Sequence, residues 1–269
     1  MAINALNSAA TGLRALSDRI DVIANNLANA ETQSFKRQRM NFEDLMYLNY
    51  KQPGTTDNAG YMNPEGISIG LGTKVSNTEL DMTQGSLEST GNPLDIAIQG
   101  NGFFKVKILP TIGDGYGYTR NGALSQNALG QLTVGIGDGY LLQPQITIPP
   151  GATNIAISSD GVVQYQPQGG NAVATAGTIQ LTQFVNPQGL KLQGGSIYTE
   201  TPASGAPITN NPGTNGAGVL EQTYIEDSNV DPVKELVTLI KTQRSFELNS
   251  QSIQTADQTL QTVANLKKS

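Results

Sequence analysis

The chain contains no cysteine, no histidine and no tryptophan. Without cysteine or histidine there is no thiol or imidazole nucleophile, no imidazole general base and no ordinary structural zinc site. The same absence means that no disulfide braces the fold, whatever compartment the protein occupies. Charge is scarce as well: 14% of the 269 residues are charged, and the formal net charge is −6. Such a chain lacks the basic face that a general nucleic-acid binder needs. Long apolar runs are also missing. Arg14, Asp18, Arg19 and Asp21 interrupt the N-terminal apolar residues, so neither a transmembrane helix nor a cleavable secretory signal of the usual kind is predicted. The protein is expected to stay inside the cell or to leave it by a different route.

What the chain does have is a helical pattern at each end. Leu6, Ala9, Leu13, Leu16, Ile20, Ile23, Leu27 and Ala30 alternate steps of three and four, a seven-residue repeat with one apolar seam. Leu239, Phe246, Ile253 and Leu260 repeat every seven residues near the C-terminus, flanked by Leu236, Ala256 and Val263. The first pattern predicts a helix over 3–30 of about 40 Å, with Gly12 costing ~1 kcal/mol relative to alanine. Its stability must come from packing, so it is expected to be poorly ordered in a free monomer. The second is predicted to start near Ser228 or Asp231, both capping types, with Pro232 in the first turn, and to run to about Asn265. Its outward positions, Gln251, Gln254, Gln258 and Gln261, are amides rather than charges. A helix facing water usually carries more charge. The seams therefore admit a pairing within one chain or a core shared among many subunits, and the low charge favours the shared core.

Between the helices the pattern changes. Residues 31–39 read as a turn followed by extended chain, with Lys36, Arg37 and Arg39 as the densest basic cluster. That cluster is expected to be a solvated face or a contact to acidic groups on a neighbouring subunit. Met40–Tyr50 carries Phe42, Leu45, Met46, Tyr47 and Leu48, and 51–66, including Pro53, is a turn-rich protruding loop or hairpin tip. From Ile67 to about Tyr224 short strands alternate with turns. Predicted strands include 94–99, 102–109, 132–134, 146–148, 154–157, 162–165 and 177–185. The fold class expected is α+β, with paired terminal helices as a coiled coil around an inserted antiparallel β domain and an extended hairpin segment. Its expected parts are 1–34 with 232–269, 35–85 with 215–231, and an outer domain at 86–214.

Catalytic patterns are weak. Gly113–Gly115 and Gly135–Gly139 lack the helix-opening spacing of phosphate loops and the carboxylate ladder of calcium loops, and they read as tight turns. Asp160 and Glu200 form a conceivable glycosidase pair, but no sequence feature brings them together. No catalytic, cofactor or metal site is predicted.

The run Ala24-Asn25-Asn26-Leu27-Ala28-Asn29-Ala30-Glu31-Thr32-Gln33-Ser34-Phe35-Lys36-Arg37 resembles the signature of bacterial flagellar axial proteins, the rod and hook subunits. Ser34 stands where that family usually has glycine, which would permit a positive φ. The resemblance continues at Asp95–Phe104, at Tyr118–Gly122 and Gly130–Leu132, and from Ser228 through Gln258. Phe42-Glu43-Asp44-Leu45, Tyr47, Lys51–Gly54 and Asn215–Gly218 are similar to segments of the distal-rod branch. This resemblance implies a non-enzymatic subunit that polymerises helically into a torque-transmitting shaft in the basal body, spanning the periplasm to the outer membrane. Implied partners are copies of itself, proximal rod proteins, the hook protein, the L and P bushing rings and the flagellar type III export apparatus. The implied polymerisation residues are Leu13, Leu16, Ile20, Ile23, Leu27, Leu239, Phe246, Ile253, Leu260, Phe35, Phe42, Leu45, Tyr47 and Pro53. Alternatives are a proximal rod or hook subunit, a secreted β-rich binding module and, last, a carboxylate-only hydrolase.

Overall fold

The computed structural model describes residues 2–54, 62, 64–110, 114–135, 139–169 and 172–266. Most of the tip of the 51–66 loop, Gly113, the centre of the 135–139 turn and the Val263 side chain lie outside the described residues. Two compact units are present: Met1–Ala28 with Gln38–Glu79 and Asp231–Ser269, and Asn29–Arg37 with Leu80–Val230.

The first unit holds both helices, α1 (Ala2–Ala28) and α2 (Pro232–Leu266), which lie against each other. Asp231 starts α2 as an N-cap. Its Oδ1 accepts from the N–H groups of Val233 and Lys234 at 3.1 Å each, and Pro232 occupies the first turn. Gly12 is where the helices approach closely: a Cβ there would stand 3.2 Å from Asn249 Nδ2. The helix-propensity cost of that glycine is therefore the condition for close packing. Strands β1 (Gln38–Asp44), β2 (Tyr47–Lys51), β3 (Ile67–Gly70) and β4 (Thr73–Leu80) make two two-stranded antiparallel ribbons, β1 with β4 and β2 with β3. Asn26 ties α1 to β1. Its amide donates to Gln38 O at 2.8 Å and accepts from Gln38 N at 3.0 Å, as a neighbouring strand would.

Among its described residues the second unit is all β apart from one short turn of 3₁₀ helix. Its strands are β5 (Leu87–Ser89), β6 (Ile96–Gln99), β7 (Phe103–Lys107), β8 (Tyr116–Thr119), β9 (Leu124–Gln126), β10 (Leu132–Val134), β11 (Tyr140–Gln143) and β12 (Thr153–Ile157), followed by β13 (Val162–Gln166), β14 (Ala174–Thr178), β15 (Leu181–Gln183), β16 (Lys191–Gly194), β17 (Ile197–Thr199), β18 (Ile208–Asn210), β19 (Val219–Gln222) and β20 (Tyr224–Glu226). The main sheet runs β16-β17-β8-β7-β11-β10-β9, and β15 shares an edge of β7 with β11 and carries β18. Strands β12, β13 and β14 form a separate sheet, and β19 and β20 return to pair with β6 and β5. Alternation along β7 divides the core. Phe104 and Val106 enter the main cluster with Ile96, Leu142 and Leu181, whereas Phe103 enters a second cluster. There Phe103 and Tyr118 meet Phe184 edge-on, with ring centroids 6.0 and 4.7 Å away.

Two strand expectations need correction. Residues 146–148 are not a ladder strand: Ile146 and Ile148 are buried, but their backbone bonds go to Leu132 N and Gly130 O, around an isolated bridge at Thr147. Pro149 and Pro150, which lack an N–H, follow at once. The stretch 177–185 is two strands: β14 and β15 belong to different sheets, and Ile179 turns the corner by donating to Gly161 O at 2.8 Å.

Candidate assembly surfaces

The α1 seam is the better buried of the two. Ile23 is buried, and Leu13, Leu16, Ile20 and Leu27 are half-buried. On α2, Leu239, Ile253 and Leu260 are half-buried, but Phe246 remains exposed. The most buried α2 positions are polar: Glu235 and Thr242, seven residues apart, with Thr242 Oγ1 donating to Thr238 O at 2.8 Å. They define the neighbouring heptad position and show that the apolar spacing located only one edge of the packed face.

Much of the other apolar content of α2 faces outward. Val233 is 74% exposed, and Leu236, Val237, Ile240 and Leu248 are also exposed. Positions 233, 236, 237 and 240 fall on one helix face at steps of three and four. An exposed apolar stripe of this kind is a candidate contact surface.

The β2–β3 ribbon also exposes apolar side chains. Every residue of β2 is exposed, and Met46 is 82% exposed. Tyr47, Leu48, Tyr50 and Ile67 join it. A two-stranded ribbon with no buried face is marginal in water. Of the residues picked from sequence in this segment, Phe42 is half-buried under Arg19, whose guanidinium carbon lies 5.8 Å from the ring. Leu45 is half-buried and donates its N–H to Gly72 O at 2.9 Å. Tyr47 OH donates to Asp44 Oδ2 at 2.9 Å, a bond that raises its pKa, and Pro53 is exposed.

In the second unit, sequence reasoning missed a buried ionic crossing. Lys36 is neither a solvated residue nor exposed for a neighbour; it is buried inside its own chain. Its Nζ donates to Glu226 Oε1 and to Thr83 O, both at 2.6 Å. Arg120 Nε donates to Glu226 Oε2 at 2.7 Å, and its other nitrogens reach the carbonyls of Ile98, Gly100 and Gly102. Gly85 N completes the carboxylate at 3.0 Å. Burial pulls the Lys36 pKa down, the Glu226 charge opposes that shift and Arg120 adds to it. Beside this hub Asn229 staples the same segments, accepting from Arg37 N at 2.7 Å and donating to Asp81 O at 2.8 Å. Half-buried Phe35 accepts from Asn229 N at 3.3 Å. Ser34 sits in the turn with φ +56°, the left-handed conformation that glycine usually supplies, and donates its N–H to Glu226 O at 2.8 Å. Arg39, by contrast, makes a surface pair with Glu79 at 2.7 Å.

The two weighed carboxylates sit in different settings. Asp160 lies exposed in a turn closed by Gly161 N to Ser158 O at 2.9 Å. Glu200 accepts from Tyr118 OH at 3.3 Å; burial and Asp114 push its carboxyl up. A cavity of about 370 Å³ is lined by Phe103, Phe184, Gln183 and Ile208, and its one ionisable lining residue is Arg120, already committed to Glu226.

Three family models match the chain: Flagella basal body rod protein at residues 6–36, Flagellar hook protein FlgE/F/G D1 domain at 97–165, and Flagellar basal body rod FlgEFG protein C-terminal at 221–266. Relatives match over nearly their full length. A flagellar basal-body rod protein FlgG of Buchnera aphidicola is 44% identical, covering 95% of this chain and 96% of the relative. That of Caulobacter vibrioides is 43% identical over 98% and 100%, and that of Bacillus subtilis 34% over 99% and 100%.

Proposed function

The chain belongs to the FlgG family of flagellar basal-body rod proteins, and we propose that its terminal helices pair as a coiled coil shared between copies along the rod. The protein is a structural subunit of the bacterial distal rod and resides in the flagellar basal body. It assembles there with other flagellar components. The finer partners proposed are copies of itself, proximal rod proteins, the hook protein, the L and P rings and the type III export apparatus. The work is mechanical, without catalysis: torque passes through many subunit contacts.

The observation that supports this reading best is the apolar stripe of α2 at Val233, Leu236, Val237 and Ile240, left open by its own chain. Covering it with a neighbouring copy, in a contact that does not close on itself, extends a filament. The proposed polymerisation residues are Leu13, Leu16, Ile20, Ile23, Leu27, Leu239, Phe246, Ile253 and Leu260 on the helices. Phe35, Phe42, Leu45, Tyr47 and Pro53 extend the set to the turn and ribbon, with 42–66 as the clamp between subunits. The proposed division remains 1–34 with 232–269, 35–85 with 215–231, and a β-rich part at 86–214.

Circular dichroism of the purified full chain, followed by negative-stain imaging after concentration, tests this. Low helix content that rises as straight tubes appear supports helices that fold on assembly. A helical monomer that never polymerises would overturn the shared coiled coil and favour a secreted binding module.

A further inference from the structure

We propose that Asn215 is a site of spontaneous deamidation, and that the fold protects the two other Asn-Gly pairs of the chain. In an Asn-Gly pair the glycine nitrogen, with no neighbouring Cβ to hinder it, attacks the asparagine Cγ once its proton is lost to base. A C–N bond forms, the Cγ–NH₂ bond breaks and ammonia leaves, giving a succinimide. Water then opens either imide bond to yield aspartate or isoaspartate. The sum is asparagine plus water giving acid plus ammonia, with no redox partner.

The three pairs differ in how firmly the fold holds them. At Asn101-Gly102, Asn101 O accepts from Gly218 N at 2.7 Å and Gly102 O accepts from Arg120 Nη1 at 3.0 Å, with Gly102 buried. At Asn121-Gly122, the Asn121 Oδ1 already accepts from Ala123 N at 3.0 Å, Gly122 O accepts from Ile96 N at 3.0 Å, and Gly122 lies against the Ile96 carbonyl. Reaction at either needs local opening of the core strand β6 or its neighbours. Asn215 and Gly216 are both exposed. They are the central residues of a turn closed by Ala217 N to Thr214 O at 2.8 Å, with φ +52° and +77°, and a Cβ on Gly216 would meet nothing within 4 Å. Only the asparagine side chain is tied, through Nδ2 to Asn210 Oδ1 at 3.0 Å, at an exposed position.

Conversion has a structural consequence. A carboxylate cannot donate to Asn210 Oδ1, and isoaspartate adds a backbone carbon to a turn whose next residues, Ala217 and Gly218, are buried. The start of β19 loosens there.

The test is peptide mapping by mass spectrometry of the intact chain aged in mildly alkaline buffer, once native and once in urea. In urea all three pairs convert at similar rates, and Gly216→Ala slows position 215 alone. In the native chain position 215 converts at least about tenfold faster than 101 and 121, which react only from opened states. Native conversion at 215 no faster than at 101 and 121, or none at 215 while urea releases it, overturns the proposal.

Discussion

Lys36 and Glu226 stand 190 positions apart in sequence and 2.6 Å apart in space, with neither side chain exposed to solvent. The contact joins the segment that follows α1 to the last strand of the β-rich unit. Arg120 approaches the same carboxylate from a third segment, so one acidic group serves two buried cations. Two cations so close repel each other, and the shared carboxylate is the one group that binds both, alongside the Thr83 carbonyl on Lys36 and the Ile98, Gly100 and Gly102 carbonyls on Arg120.

That asymmetry sets the first prediction. Glu226→Gln removes the carboxylate that both buried cations bind and is expected to cost about 3–5 kcal/mol. Lys36→Met leaves the Arg120–Glu226 pair balanced and should cost roughly half as much. Urea unfolding of the full chain followed by β-sheet signal checks this; equal effects would mean that the hub does not act as a shared counter-charge.

A second concerns the turn beside it. Ser34 adopts φ +56° although it carries a Cβ. Ser34→Gly relieves the left-handed cost in the folded chain while loosening the unfolded one, so stability should stay within about 1 kcal/mol of the parent. Ser34→Val places a β-branched residue in the same conformation at a buried site and should cost roughly 2 kcal/mol or more. If valine is tolerated as well as glycine, the turn does not need that conformation.

The pH dependence should have two opposed contributions. Burial raises the Asp81 carboxyl, but the Thr83 hydroxyl at 2.7 Å, the Thr83 N–H and the charges of Arg37 and Lys36 outweigh it, leaving its pKa below 3.8. Its stabilisation is present above that ordinary value and is lost as pH falls through the folded one. Glu200 is raised above 4.5 by burial and by Asp114, so its contribution is full below that value and lost as pH rises through the folded one. Glu200→Gln should therefore stabilise the chain at neutral pH and leave it unchanged in acid, whereas Asp81→Asn should flatten the acid loss. Thermal melts across the acid range decide both.

The sequence carried its clearest signals where a pattern is local. The cap at Asp231 and Pro232 and the strand 132–134 are written in adjacent residues, and both are where the pattern placed them. The Lys36 hub left no such trace: a lysine beside Arg37 looks solvated until a glutamate from the far end of the chain folds onto it. Residues 146–148 misled for the opposite reason, because burial of Ile146 and Ile148 imitates a strand without its ladder. On α2 the heptad of Leu239, Phe246, Ile253 and Leu260 marked one edge of the packed face, while the buried polar positions beside it carry no apolar signal.

The helix seams give the fourth experiment. Leu27→Asp and Leu260→Asp each place a charge on a half-buried seam residue whose full burial would come from assembly. Each is expected to abolish tube formation while the β-sheet signal and its unfolding midpoint stay at the parent values. Normal tubes from either variant, seen by negative stain, would remove that residue from the interface.

The β2–β3 ribbon separates stability from assembly most cleanly. Leu48 and Tyr50 are exposed and their strand has no buried face, so truncating them removes little that the folded chain uses. Leu48→Ser with Tyr50→Ser should change the unfolding free energy of the monomer by less than about 0.5 kcal/mol, as for ordinary surface sites. If a neighbouring copy covers the ribbon, the same pair removes two apolar side chains from that contact, each worth about 1.5–3 kcal/mol when fully buried. The concentration needed for tubes to appear should then rise by at least about tenfold, since 1.4 kcal/mol is one decade. Sedimentation of polymer across a dilution series reads that threshold directly. An unchanged threshold would exclude these two side chains from the subunit contact and leave assembly to the helices.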